Sequence, residues 1–261
     1  MSLRLTMLGS GSTGNAALVS RGDTHVLVDV GLSGRETKRR LVECGIQPEQ
    51  ISAIVLSHEH EDHSRGVVAF CKTLDIPVFV TDAAFQASGL VLPNGNHQKI
   101  ECGVSFEVYG ILFTPFSVPH DAADPIAFTI ESDGIKIAIV VDLGYISNLT
   151  IERLKNCDAI ALESNHDLAM LRIGPYPWSL KQRVMSRRGH LSNESVAEYL
   201  SSAFDGRARH LVLAHLSKKN NLPELALRSA RNALESRSGL RCCQTKLAIA
   251  GPDKIGPIIN L

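Results

Sequence analysis

A chain of 261 residues with 44% apolar side chains can bury a large core, which excludes a disordered protein. Its 27 basic and 27 acidic side chains cancel, so nothing global draws it to nucleic acid and any such binding must come from a local patch. No apolar run approaches the roughly 20 residues that span a bilayer, and Met1–Leu8 is too short and polar for a signal peptide. Cys44, Cys71, Cys102, Cys157, Cys242 and Cys243 form neither a C-x-x-C pair nor a disulfide framework. A cytoplasmic protein with reduced thiols and no membrane partner is expected.

Leu3–Leu8 alternates as a half-buried first strand. Gly9-Ser10-Gly11-Ser12-Thr13-Gly14-Asn15 follows and leads into the strand-like Ala17-Leu18-Val19. Its glycines and small hydroxyls read first as a hairpin turn and second as a phosphate cradle, with Ser10, Ser12 and Asn15 as candidate substrate contacts. Thr24–Val28 is the next strand and ends at Asp29, a carboxylate placed to orient metal ligands from behind. Ser33 and Glu36 form a capping box that starts a helix, and Gly45 stops it. Ala53–Leu56 is a buried strand, His63–Leu74 reads as a helix, Pro77–Val80 as a strand, and Asp82 as the cap of a short helix.

Four strands are predicted in the middle, Phe106–Tyr109, Ile111–Phe116, Ala127–Ile130 and Ile135–Val141, with a hairpin at Asp133-Gly134. Beyond Ser147 the pattern gives a helix to Lys155, a strand Ala159–Leu162, and helices over Leu180–Arg187 and Ser195–Phe204. A strand Leu211–Ala214, a helix Pro223–Glu235 and a strand Lys246–Ile249 complete it. Two similar halves predict an α+β sandwich of two sheets with helices outside, in one domain over residues 1–261.

The chemistry concentrates in His58-Glu59-His60-Glu61-Asp62-His63, directly after an apolar run. Imidazole and carboxylate suit two divalent ions, Zn²⁺ or Mn²⁺, with Fe²⁺ also compatible. In an extended segment His58 and His60 point the same way, and a turn after His60 aims Asp62 and His63 at a second ion. His120, Asp142 and His215 each follow a strand. Counting donors, His58, His60 and His120 serve one ion, Asp62, His63 and His215 the other, and Asp142 bridges them. Seven ligands leave open positions on both ions, the mark of a catalytic site. A bridging hydroxide is then the expected nucleophile, with Asp62 both binding metal and orienting it.

With these motifs the chain resembles the metallo-β-lactamase superfamily and its four-layer αβ/βα fold, and within it the YycJ/WalJ group of nuclease-like members. The resemblance is carried by Gly9–Asn15, His120-Asp121-Ala122-Ala123-Asp124-Pro125, Asp142-Leu143-Gly144-Tyr145, Leu162–Asp167, Gly174–Arg183, Arg188–Ser192 and Ala214–Ser217. It implies phosphodiester hydrolysis, as a 5′→3′ exonuclease on DNA. It also implies that Glu163 and His190 match the acid and histidine positions of nuclease relatives. His190 then contacts a phosphate or protonates the leaving group, and Glu163 holds its tautomer. The long clamp insertion of the β-CASP nucleases and the RNA-gripping arm of transfer-RNA 3′-processing relatives are both missing from this sequence.

Lys181, Arg183, Arg187 and Arg188 lie on or after one predicted helix, behind Tyr176 and Trp178. Trp178, Lys181 and Arg183 are the candidate substrate contacts there, an aromatic for a base and cations for phosphates. Taken alone, this run reads more readily as an amphipathic helix with a solvated cationic face. The alternative function is a small-molecule hydrolase of the same fold, acting on a thioester, a lactone or a cyclic phosphodiester. A non-catalytic module has no need of seven donors.

Overall fold

The computed structural model describes residues 2–237 and 244–261; Met1, Cys242 and Cys243 lie outside them. Among the described residues the strands form two seven-stranded sheets. The first holds β1 (Leu3–Gly9), β2 (Ala16–Arg21), β3 (Thr24–Val28), β4 (Ile51–Val55), β5 (Val78–Val80) and β6 (His97–Lys99). The second holds β7 (Phe106–Val108), β8 (Ile111–Ser117), β9 (Ile126–Ser132), β10 (Ile135–Val140), β11 (Ala159–Glu163), β12 (His210–Ala214) and β13 (Lys246–Ile249). The last strand, β14 (Ile258–Asn260), returns to pair antiparallel with β1 and completes the first sheet.

Period-two alternation sorts the side chains into layers. Leu3, Leu5, Val26 and Val28 of the first sheet meet Phe113, Phe128, Ile137 and Ile139 of the second in one inner core. The intervening residues face outward and are covered by helices. Leu18, Leu27 and Ile54 pack against Leu41 of α1 (Gly34–Glu43) and Val67 and Phe70 of α3 (Val67–Cys71). Ile160, Leu162 and Leu211 pack against Leu200 of α8 (Asn193–Ser202) and Ala230 of α9 (Pro223–Glu235). The result is the α+β, four-layer αβ/βα sandwich of the metallo-β-lactamase type.

Three local expectations are corrected. The helix read over His63–Leu74 is two short pieces, α2 (Glu61–Ser64) and α3, with a turn at Arg65-Gly66. Gly66 donates to Val30 O at 2.7 Å and lies where a Cβ would come within 2.5 Å of Leu32 O, so backbone packing interrupts the helix. The cap of α4 (Asp82–Ser88) is Thr81, whose hydroxyl accepts from Ala84 N, while Asp82 occupies the first turn. The cap on α1 is half of the expected box: Ser33 Oγ accepts from Glu36 N, while the Glu36 carboxylate accepts from Arg39 and Arg40.

Strand polarity creates the functional rim. β1 and β3 are both antiparallel to β2, and β3 and β4 are parallel, so β1, β3 and β4 end on the same edge. The same reasoning through β9 aligns β8 with β10, and β11 and β12 run parallel to β10. The segments that follow these strand ends carry the ligand candidates.

Candidate metal centre

Asp29, Asp142 and His215 each lie just past a strand, at φ values of 59°, 59° and 54°. Non-glycine residues seldom occupy this left-handed region, and when they do the strain often marks a working site. The His58–His63 loop is held by Gly31, which sits so close that a Cβ would lie 1.6 Å from Asp62 O. Asn15 N donates to that same carbonyl at 2.8 Å, so the Gly9–Asn15 turn braces the loop from the other side.

Four groups of donor atoms converge, each within 4.8 Å of one another: His58, His60 and His120; Asp62, His63 and His215; His58, His63 and Asp142; and Asp142, Glu163, His190 and His215. Outer hydrogen bonds fix how the imidazoles face. His63 Nδ1 donates to Asp29 Oδ2 at 2.8 Å, and His215 Nδ1 to Glu163 Oε1 at 2.7 Å. His120 Nδ1 donates to Gly189 O at 3.1 Å, and His58 Nδ1 contacts Ser57 Oγ at 3.0 Å. The Ser57 hydroxyl in turn donates to Asp29, so one carboxylate supports both His58 and His63. With their Nδ1 protons committed outward, His58, His63, His120 and His215 are each set to give a cation the Nε2 lone pair, the tautomer that metal ligation requires.

Burial without partners tests whether cations fit. His58 Nε2, His215 Nε2 and Asp142 Oδ2 are buried with no hydrogen-bond partner. Asp142 Oδ2 stands 2.6 Å from His63 Nε2, while Asp62 Oδ2 is 3.8 Å from His63 Nε2 and 3.6 Å from His215 Nε2. Buried acceptors this close repel one another unless a proton or a metal ion lies between them. The donor set therefore fits one or two divalent ions, Zn²⁺ or Mn²⁺.

The field tells the same story. Burial disfavours a charged His63, yet Asp29 and Asp142 beside it lift its pKa to about 10. Burial also opposes a charged His215, and Asp142 still raises it well above the ordinary value. On the His58 side burial wins, and both His58 and His120 are lowered. Burial would push the Asp142 carboxyl up, but His215 and His63 hold it well below the usual range. Glu163 is likewise depressed, to about 2: burial opposes its charge, and His190 and His215 outweigh it. This much negative charge in a dry pocket is stable only beside cations.

Glu163, fully buried at the end of β11, accepts from Leu143 N and Leu191 N through Oε2. Its Oε1 accepts from both His190 Nδ1, at 2.8 Å, and His215 Nδ1. Against the penalty of burial, Glu163 and Asp142 raise the pKa of His190 to about 9. His190 lines a cleft of about 200 Å³ with His60, Asp62, His120, Asp142 and His215. Its Nε2 is the nitrogen left unengaged by Glu163.

The other candidates divide. Ser12 and Arg183 line the cleft, and Arg183 pairs with Asp121 at 2.5 Å. Ser10 is fully buried, accepts from His215 N at 2.8 Å and donates to Asn15 Oδ1, so it braces His215 rather than meeting substrate. Asn15 Nδ2 lies 3.0 Å from His63 Nε2 and 3.4 Å from Asp62 Oδ2, inside the donor cluster. Lys181 is buried on α7 (Trp178–Val184) and donates to Arg172 O, away from the cleft. Trp178 is 64% exposed and outside the cleft lining. Sequence reasoning missed Asn165 and Ser217, which line the cleft; Asn165 Nδ2 donates to His215 O, and its carbonyl accepts from Ser217 N. It also missed the Ser57 relay; a hydroxyl directly before the first histidine was the available signal.

Two facing sheets, outer helices and a His/Asp cluster at one rim define a metal-binding hydrolase of the metallo-β-lactamase fold. The chain belongs to the β-lactamase superfamily, whose domain model matches residues 24–216. It is 36% identical to the exodeoxyribonuclease YycJ of Bacillus anthracis, over 91% of this chain and 91% of that one. It is 33% identical to the exodeoxyribonuclease WalJ of Streptococcus pneumoniae, over 99% and 98% of the two chains. Among solved structures, the metallo-β-lactamase fold protein YhfI from Bacillus subtilis superposes with a TM-score of 0.77 at 18% identity, covering both chains fully. Zn²⁺-bound PqqB from Methylobacterium extorquens gives 0.71 at 17% identity, covering 99% and 100%. These two share the fold. Among the described residues no helix is long and apolar enough to cross a membrane.

Proposed function

We propose that this chain is a dinuclear phosphodiesterase that degrades DNA as a 5′→3′ exonuclease. The observation that carries it is the convergence of two donor triads, with His190 and Glu163 beside them, on one cleft. Relatives named exodeoxyribonucleases over nearly the whole chain support DNA as the polymer. His58, His60 and His120 would hold one ion, Asp62, His63 and His215 the other, and Asp142 stands between. Two such ions lower the pKa of bound water and polarise a phosphoryl oxygen. Asp62 orients the attacking water through its carboxylate. His190, kept protonated by Glu163 and Asp142, gives its Nε2 proton to the leaving oxygen. Arg183 and Ser12 meet the phosphate at the cleft mouth.

The same reading treats the chain as one domain, since the inner core draws on both sheets. It also assigns the cytoplasm, where free thiols such as buried Cys71 and Cys157 stay reduced. The modest cleft favours one alternative, hydrolysis of a cyclic phosphodiester or another small ester. A digestion of 5′-labelled duplex DNA with Mn²⁺, run beside a thioester and a cyclic diester with Zn²⁺, decides. Labelled mononucleotide appearing from the first time points is the expected result. DNA left intact in every metal while a small ester is cleaved overturns the proposal.

A further inference from the structure

A second groove, of about 480 Å³, adjoins the reaction cleft, and His120 lines both. Its walls come from the segments after β8 and β10 and from the loop before His190. Gly144 brings two of these together: a Cβ there would lie 2.3 Å from Arg187 C, and Gly144 N donates to Pro119 O at 2.8 Å. That backbone-to-backbone contact sets Tyr145 beside Arg187, whose guanidinium lies 4.4 Å from the ring centroid. Next to it, Arg188 Nε donates to His120 O, and Gly189 O accepts from His120 Nδ1. One loop thus clamps a ligand candidate and projects two exposed arginines beside it. Asp124 is the acid in the same lining.

A guanidinium stacked on an aromatic face is held flat while its edge N–H groups remain free for phosphate oxygens. The Arg188 fork keeps its terminal nitrogens once Nε is committed. Such a surface suits a polyanion with a stacking base, and its link to the cleft through His120 suits a strand running past the reacting phosphate.

We propose that this groove binds the nucleic-acid strand next to the scissile phosphodiester, with Arg187 and Arg188 on a backbone phosphate and Tyr145 backing the Arg187 plane. The proposal rests on the phosphodiesterase reading above and adds a binding site for the rest of the polymer. A small diester occupies the cleft alone.

The test compares Arg187→Ala, Tyr145→Ala and Arg187→Lys with the parent, all metal-loaded, on a single-stranded 20-mer and on thymidine 5′-(p-nitrophenyl phosphate). For Arg187→Ala, KM for the 20-mer is expected to rise about 10-fold and the slope of log KM against log salt to fall by about 1. The kcat/KM for the small diester stays within twofold. Arg187→Lys keeps the salt slope but not the full affinity, and Tyr145→Ala gives a smaller KM rise. An unchanged 20-mer KM in Arg187→Ala overturns the proposal, as does an equal loss on both substrates, which would make Arg187 a support of the metal centre. A parent protein that cleaves the small diester and ignores both the 20-mer and the labelled duplex is a different failure, that of the DNA assignment, and it is seen before any variant is made.

Discussion

Asp29 touches no substrate in this account, yet its loss should weaken both ions. Its buried carboxylate accepts from Ser57 N at 2.8 Å, from Ser57 Oγ at 2.9 and 3.0 Å, and from His63 Nδ1 at 2.8 Å. Asp29→Ala takes the acceptor from three buried donors, Ser57 N–H, Ser57 Oγ–H and His63 Nδ1–H. The hydroxyl can turn to accept from His63 Nδ1, 3.3 Å away, which leaves two donors unpaired at about 1–3 kcal/mol each, so about 2–6 kcal/mol of stability is lost. Asp29→Asn is the cleaner probe, because asparagine tolerates the observed φ of 59°. Its amide can serve Ser57 N or His63 Nδ1 through oxygen, but its NH₂ then faces the other. If it turns His63 into the Nδ1-acceptor tautomer, Nε2 carries a proton into the donor cluster and cannot ligate. Removing such an outer partner costs about 10–100-fold in metal affinity. Competition with a chromophoric chelator reads that loss, and thermal unfolding of the metal-free protein separates it from instability. Parent-like affinity for both ions in Asp29→Asn would refute the tautomer argument.

His190→Ala should lower kcat by about 10²–10⁴-fold while elemental analysis still finds both ions, since His190 is outside the two triads; lost metal would make it a ligand. Gly31→Ala forces the Asp62 backbone away from a Cβ that would lie 1.6 Å from Asp62 O, so it should lower metal affinity and Tm together, and a parent-like Tm would contradict the packing. Chelation should lower Tm, and more so at pH 9 than at pH 6.5. In the metal-free protein His63 has a pKa of about 10 against 6.5 when unfolded, so its contribution is complete below about 6.5 and is lost as pH rises towards 10. Bound metal replaces that proton and removes the dependence. A gap between loaded and chelated Tm that narrows with rising pH would count against this.

The candidate ligands are legible because each histidine or acid follows an apolar run, and parallel strands bring such ends to one rim. The elements with a strong period, such as β11 and α9, lie where the pattern put them. What escaped is set by partners far off in sequence. β6 is three polar residues on a sheet edge, and β14 is three residues paired with the first strand, so neither has a period of its own. The short α6 (Leu168–Ile173), capped by Asp167, is too brief to show one. Composition offers Lys181 and Ser10 as substrate contacts but cannot reveal that Arg172 O and His215 N already claim them. The resemblance pairs Glu163 with His190; that Glu163 also holds His215 is set by the fold.

The whole mechanism rests on two cations seated side by side at the rim, and anomalous diffraction from crystals of the Mn²⁺-loaded protein measures that directly. Two peaks are predicted, one ligated by His58, His60 and His120 and the other by Asp62, His63 and His215, with Asp142 reaching both. A single peak, or none within reach of these side chains, would contradict it.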